Sequence, residues 1–354
     1  MAPGPDKQKK PNREPTVTRA HDTRLRRPPH LLSRTLSRTL LAPVAGAFII
    51  LGVIVSCGGS DSPRGSGAAG DGTIEFDGAL AMANVERQVA FGARVPGTSA
   101  HVAAGDWLVA ESRRLADSVI VQEWVHTTAD GARLPMRNII ARFNPGSARR
   151  VLYLAHWDSR PRSDRDSDTA KRALPVPGAN DGGSGVAILL GVAEALKKAP
   201  APGIGVDLLF VDGEDWGEFG PPMVDVLVGS TWFANHLPEP SYAPMLGVLW
   251  DMVGDAEPRF EQETHSLRGA PEVVQRVWTT AQRLGYGAAF SNREYGEISD
   301  DHVPLLAKGL RVIDVIDLYF PWHHTTEDTV DKVSQSTLQM VGHVAITLIR
   351  DLQD

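Results

Sequence analysis

Cysteine is the scarcest residue in this chain, one among 354, at Cys57. A single thiol excludes any intramolecular disulfide. It also leaves only oxygen and nitrogen donors for a metal site. Basic charge is nearly as unevenly supplied. Residues 1–57 hold ten Lys/Arg against three acids, a charge of +7, whereas 58–354 hold 26 basic and 40 acidic residues, a charge of −14. An acidic body lacks the basic face that phosphate contacts require, so a nucleic-acid binder is excluded. Long apolar runs are missing as well, apart from 40–56. No internal repeat is visible. The glycine-rich stretch Gly178-Ala179-Asn180-Asp181-Gly182-Gly183-Ser184-Gly185 lacks the Gly-Lys-Ser/Thr ending of a phosphate loop, and it fails the Gly-x-Gly-x-x-Gly order of a dinucleotide fold.

What is present divides at Cys57. Residues 1–39, rich in Pro, Arg and Ser, are expected to be a disordered basic leader. Residues 40–57 read as a signal or anchor segment: seventeen uncharged residues reach the lower limit of a membrane span, and a basic flank with small residues at the end also makes an export signal. Ile54-Val55-Ser56-Cys57 resembles a bacterial lipoprotein box, which would make Cys57 a lipid-attached residue. An uncleaved anchor helix and a chance apolar segment are the alternatives. The expected localisation is the cell envelope, exported and membrane-anchored. Residues 58–75 read as a Gly/Ser-rich tether, and 76–354 as one catalytic domain.

Within that domain, apolar spacing predicts helices over 76–91, 100–115, 185–198, 273–284 and 333–352. Strands are predicted over 119–125, 137–143, 151–155, 206–211, 245–250 and 312–316, with a hairpin turn at 127–134. Continuous apolar strands alternating with helices indicate a single α/β domain with a mostly parallel central sheet flanked by helices.

Four of those strands run into acids or histidines: His156-Trp157-Asp158, Glu214-Asp215, Asp251, and Asp317 with His324 seven residues later. Ligands bind at the carboxyl ends of strands in such sheets. Carboxylate and imidazole donors without thiolate are the set of a catalytic zinc or a similar divalent ion. Asp181, at a helix start, reads either as a ligand or as an N-cap. Glu214 and Asp215 are adjacent and cannot point the same way from an extended strand, so one can bind metal while the other serves as a general base.

Taken in order, Arg94-Val95-Pro96-Gly97-Thr98, Asn138-Ile139-Ile140, His156-x-Asp158, Asn180-Asp181, Asp212-Gly213-Glu214-Asp215, Asp251-Met252-Val253-Gly254, Asp300-Asp301-His302 and His324-Thr325-x-x-Asp328 resemble the zinc-dependent aminopeptidase-like family. The closest likeness is to its glutaminyl-peptide cyclotransferase branch. The Arg-Val-Pro-Gly run, Ile298–Pro304, Lys308-Gly309-Leu310 and Phe320-Pro321 carry that lean, and the likeness spans 77–352. It implies a zinc held by Asp181, Asp215 and His324, with His156 available to a second metal. It implies Glu214 as proton-shuttling acid/base, Asp301 as the acid hydrogen-bonded to it, and Asp251 as the group orienting the substrate amine. Asp158 and Asp328 would support the ligands from behind. Trp157, Trp216, Trp322 and His323 are candidate pocket walls, His323 standing where the branch has an aromatic residue and lying one position from the expected ligand. The implied reaction converts the N-terminal Gln of peptides to pyroglutamate with release of ammonia. The implied partners are such peptides, and a membrane through the N-terminal lipid or anchor. An aminopeptidase with one or two zinc ions is the rival, and an envelope binding protein on a peptidase scaffold is the non-enzymatic alternative. The charged loop 160–176 reads as a lid or as a solvated insertion.

Overall fold

Residues that are apolar on every side make buried strands, and here four of them lie parallel and adjacent. In the computed structural model, which describes Gly4 and residues 75–353, these are β3 (Arg150–His156), β4 (Gly205–Val211), β5 (Leu246–Asp251) and β8 (Val312–Ile316), buried along their whole length. The leader, the apolar segment, Cys57 and all of the tether except Glu75 fall outside the described residues. Among the described residues no helix is long and apolar enough to cross a membrane.

The six-stranded sheet has the order β1-β2-β4-β3-β5-β8. At one edge, β1 (Ser118–Thr127) and β2 (Arg133–Phe143) form an antiparallel hairpin, and β2 runs antiparallel to β4. The remaining three pairings are parallel, so the expected mostly parallel α/β sheet is what forms. The hairpin turn closes between Thr128 and Ala132, with Gly131 at φ 90°.

One face of the sheet carries Val151, Tyr153, Ala155, Val206, Leu208 and Val248 into the larger core. That core is covered by α1 (Gly78–Val89), α2 (Ser99–Leu115), α3 (Gly183–Lys198), α6 (Pro271–Arg283) and α8 (Gln335–Arg350). Alternate residues Leu152, Leu154, Leu209 and Leu249 face the other way. There α4 (Val228–Asn235) and α7 (His302–Ala307) pack, with α5 (Thr264–Gly269) beside β8. A two-stranded sheet, β6 (Phe260–Gln262) with β7 (Phe290–Glu294), packs against β8 and α6 and completes the fold. α4, α5, α7, β6 and β7 are too short or too polar to leave a periodic signal in the sequence.

Two details of the central helix fix the site. α3 presses so close to β5 that a Cβ on Gly185 would sit 2.0 Å from the Trp250 carbonyl oxygen. Its N-cap is Gly182, at φ 72° and without a side-chain cap bond. Asp181 therefore does not cap the helix, and its carboxylate is free for another use.

Candidate metal centre and active-site cleft

The four parallel strands end on the same edge of the sheet, and β3, where the chain order reverses between β4 and β5, lies at its centre. That is where a crevice opens in a doubly wound sheet. Four of the loops that supply acidic or imidazole groups there contain a left-handed residue: Gly182, Gly213, Met252 (φ 45°) and His324 (φ 56°). For Met252 and His324 this conformation is strained by roughly 1–2 kcal/mol. The sharp turns aim Asp181, Glu214, Asp251 and His324 into one cleft of about 330 Å³. No substitution pattern in the sequence announces these turns, since only two of the four positions are glycine.

The expected ligands meet there. His324 Nε2 lies 3.3 Å from Asp215 Oδ1 and 3.6 Å from Asp181 Oδ2. His156 Nε2 lies 3.0 Å from Asp181 Oδ1 and 3.3 Å from Asp251 Oδ1. Asp181 thus stands between two donor groups, His156–Asp181–Asp251 and Asp181–His323–His324, each close enough to hold an ion. The fit to a metal rests on unsatisfied atoms. Both nitrogens of His156, Asp181 Oδ2, Asp215 Oδ2 and Asp251 Oδ1 are buried without a properly angled hydrogen bond, and buried polar atoms are normally paired. Oxygen and imidazole donors of this kind suit zinc.

Two carboxylates hold the ligand loops by their backbones. Asp158 accepts from the N–H groups of Glu214 (3.1 Å) and Asp215 (3.2 Å), and Asp328 from those of Asn180 (2.8 Å) and Asp181 (3.1 Å). Asp158 also sits 3.5 Å from His156 Nδ1. Their support is therefore given mainly through the main chain, because each carboxylate lies behind a turn whose two successive N–H groups converge. Arg94, fully buried, donates to the carbonyls of Trp157, Pro177 and Gly178 and ties the first two loops together.

Charge is concentrated here. Burial raises Glu214 well above the usual carboxylate range; His156 opposes that rise, while Asp215, Asp300 and Asp301 add to it. Burial also pushes Asp181 upward, but His156, His324 and His323 outweigh it and hold that carboxyl below its ordinary value. His156 loses to burial and gains more from Glu214, Asp158, Asp181 and Asp251, ending well above an ordinary imidazole. A divalent cation would draw the carboxyl values down again.

Several expected positions differ. Of the adjacent acids, Asp300 lines the cleft and Asp301 does not. Asp301 is fully buried beneath it, makes no hydrogen bond to Glu214, and is raised by burial to about 7. The chain turns into α7 at this point, which sends successive side chains in different directions. Trp157 faces away from the cleft: its ring stacks on His101 at 4.3 Å, its Nε1 donates to the Arg137 carbonyl, and it borders a separate cavity of about 390 Å³. Trp216 joins the apolar cluster of Leu134, Met136 and Val228, and Trp322 packs edge-on against Phe320 at 5.4 Å. None of the three tryptophans lines the cleft. His323 does, together with Phe219 and Tyr295, neither of which was marked by any sequence pattern. Asp317, at the end of β8, accepts from the N–H groups of Arg259 and Tyr319 and closes a turn outside the cleft.

Comparison with known proteins agrees with this geometry. The model of peptidase family M28 matches residues 138–349. A bovine glutaminyl-peptide cyclotransferase-like protein is 26% identical over 286 residues, covering 73% of this chain and 72% of its own. The crystal structure of Porphyromonas gingivalis glutaminyl cyclase superposes with a TM-score of 0.75 at 38% identity, over 78% of this chain and 99% of that one. A leucine aminopeptidase precursor from Bacteroides thetaiotaomicron superposes equally well, TM-score 0.75 at 34% identity, over 78% and 97% of the two chains.

Proposed function

The chain belongs to peptidase family M28, a family of zinc-dependent enzymes, and within it we propose that this protein is a glutaminyl-peptide cyclotransferase that works with one zinc ion held by Asp181, Asp215 and His324. The observation that carries the reading is the acidic wall of the cleft: Glu214, Asp251 and Asp300 line one small, largely buried space beside the metal donors. Cyclisation of an N-terminal glutamine needs a cationic α-amine to be received, deprotonated and directed at the substrate's own side-chain amide. No activated water is involved.

Zinc in this cradle supplies Lewis acidity toward the side-chain carbonyl. Asp251 and Asp300 accept hydrogen bonds from the α-ammonium group, which gives up one proton to solvent, and they turn the lone pair of the resulting neutral amine toward the amide carbon. Glu214 takes the proton from the attacking nitrogen as the new N–C bond forms, then returns it to the amide nitrogen as the old C–N bond breaks. Ammonia leaves, and a five-membered lactam remains at the peptide N-terminus. A carboxyl raised by burial and like charge is suited to both halves of that exchange. Asp300 takes the place beside Glu214 that the family likeness gave to Asp301. The substrates are peptides with N-terminal Gln, and Cys57 attaches the protein to the cell envelope by a lipid.

Incubating the zinc-loaded protein with a Gln-initiated and a Leu-initiated peptide tests the activity. Ammonia and a pyroglutamyl product from the first, with the second intact, are expected. The donor group His156–Asp181–Asp251, whose orphaned atoms suit a second ion, favours the aminopeptidase reading. Release of free leucine would establish that reading in its place.

A further inference from the structure

His323 and His324 are consecutive, both reach the cleft, and both come near Asp181, at 4.0 and 3.6 Å. The loop 160–176 treats them differently. Arg165 Nη1 donates to His323 Nδ1 at 2.9 Å, and the Arg165 backbone N–H donates to the His324 carbonyl at 3.2 Å. The preceding residue, Asp164, places Oδ1 3.7 Å from His324 Nδ1. Asp164 is itself gripped on both oxygens by Arg160, at 3.0 and 2.6 Å, and Arg160 also donates to Asp215 Oδ1 at 2.8 Å. Asp166 secures the far side, accepting from Thr326 Oγ1 at 2.6 Å. The loop is thus fastened to the ligand segment and is not a solvated insertion.

A guanidinium has donors only, so a ring nitrogen facing it must offer a lone pair. His323 therefore keeps its proton on Nε2. His324 Nε2 faces Asp215 (3.3 Å) and Asp181 (3.6 Å), the carboxylates with which it would share the metal, and once that lone pair is so engaged Asp164, 3.7 Å behind Nδ1, favours the proton on Nδ1. A metal binds the lone pair and not the N–H group. We infer that the consecutive residues Asp164 and Arg165, opposite in charge, impose opposite tautomers on His324 and His323, making His324 Nε2 the metal donor and His323 Nε2–H a hydrogen-bond donor to the bound peptide. Asp164 and Arg165 are positioning residues, and His323 is a specificity residue that lines the cleft with Phe219 and Tyr295. The inference rests on the reading that Asp181, Asp215 and His324 hold zinc.

The test combines zinc competition against a chromophoric chelator with long-range proton–nitrogen NMR of the histidine rings, on the full chain with and without zinc. The wild type should show His323 protonated on Nε2 in both states. Asp164→Asn should weaken zinc binding about 10- to 100-fold, the usual effect of losing a ligand's outer partner, and Asp164→Glu should restore most of it. Arg165→Met and His323→Gln should keep wild-type zinc content, and the latter should raise KM about fivefold, the worth of one hydrogen bond. A zinc-loaded wild type with His323 protonated on Nδ1, or unchanged zinc affinity in a folded Asp164→Asn variant, would overturn the inference alone. A wild type that takes up no zinc yet shows the expected His323 tautomer would remove the metal reading and keep the assignment of that ring.

Discussion

Two buried histidine–aspartate pairs adjoin Trp157, one through the ring stacked on it and one through its sequence neighbour His156, and they are chemically unlike. On one side His101 Nε2 meets Asp212 Oδ1 at 2.8 Å, its ring stacked on Trp157. The other Asp212 oxygen accepts from the Arg137 N–H at 2.7 Å, and its own N–H donates to Asn138 Oδ1. On the other side His156 touches Asp181 and Asp251 at similar distances, but neither ring nitrogen has a hydrogen bond with acceptable angles. The first pair is a finished piece of core. The second lacks a partner that would complete it, and the cavity beside it is the smaller of the two. Unsatisfied donors, and not cavity size, mark the reactive side. The same criterion picks out Asp301 and Asp314 beneath the cleft. Burial raises both carboxyls.

The largest way to break this contrast is Glu214→Gln. It should lower kcat on a Gln-initiated peptide by about 10³-fold, within the usual range for a general acid/base, while zinc content stays at the wild-type level. Retained turnover would show that another group carries the proton. Next, His101→Ala should leave zinc content unchanged but destabilise the fold by about 3 kcal/mol, the effect of stranding a buried charged partner. His156→Ala removes the ring that contacts both the ligand Asp181 and the amine-orienting Asp251, and should reverse the pattern, losing turnover with little loss in denaturation midpoint. Equal destabilisation by the two variants would remove the distinction. The finest comparison is between neighbours: Asp300→Asn should reduce kcat about tenfold, whereas Asp301→Asn should leave kcat unchanged because that carboxyl lies outside the cleft. The reverse order would return the role to Asp301.

The strands and the acids at their ends were legible because a fully buried strand writes a continuous apolar run, and His156, Asp181, Glu214, Asp215, Asp251 and His324 all fall beside such runs or beside a helix start. Side-chain direction past the strand end was not legible. It depends on left-handed turns at Met252 and His324, where the sequence has no glycine to mark them. Asp301 was misplaced because the chain turns into α7 there, and Trp157 because its ring stacks on His101. Phe219 and Arg165 reach the cleft from loops with no periodicity to read, so only three-dimensional structure brings them to it.

Zinc titration into metal-free protein, with cyclisation of a Gln-initiated peptide followed at each addition, separates one-zinc cyclisation from two-zinc hydrolysis. Ammonia release should rise linearly and stop rising at one zinc per chain, with a Leu-initiated peptide untouched throughout. Activity that keeps climbing to two zinc ions per chain, accompanied by free leucine, would contradict it.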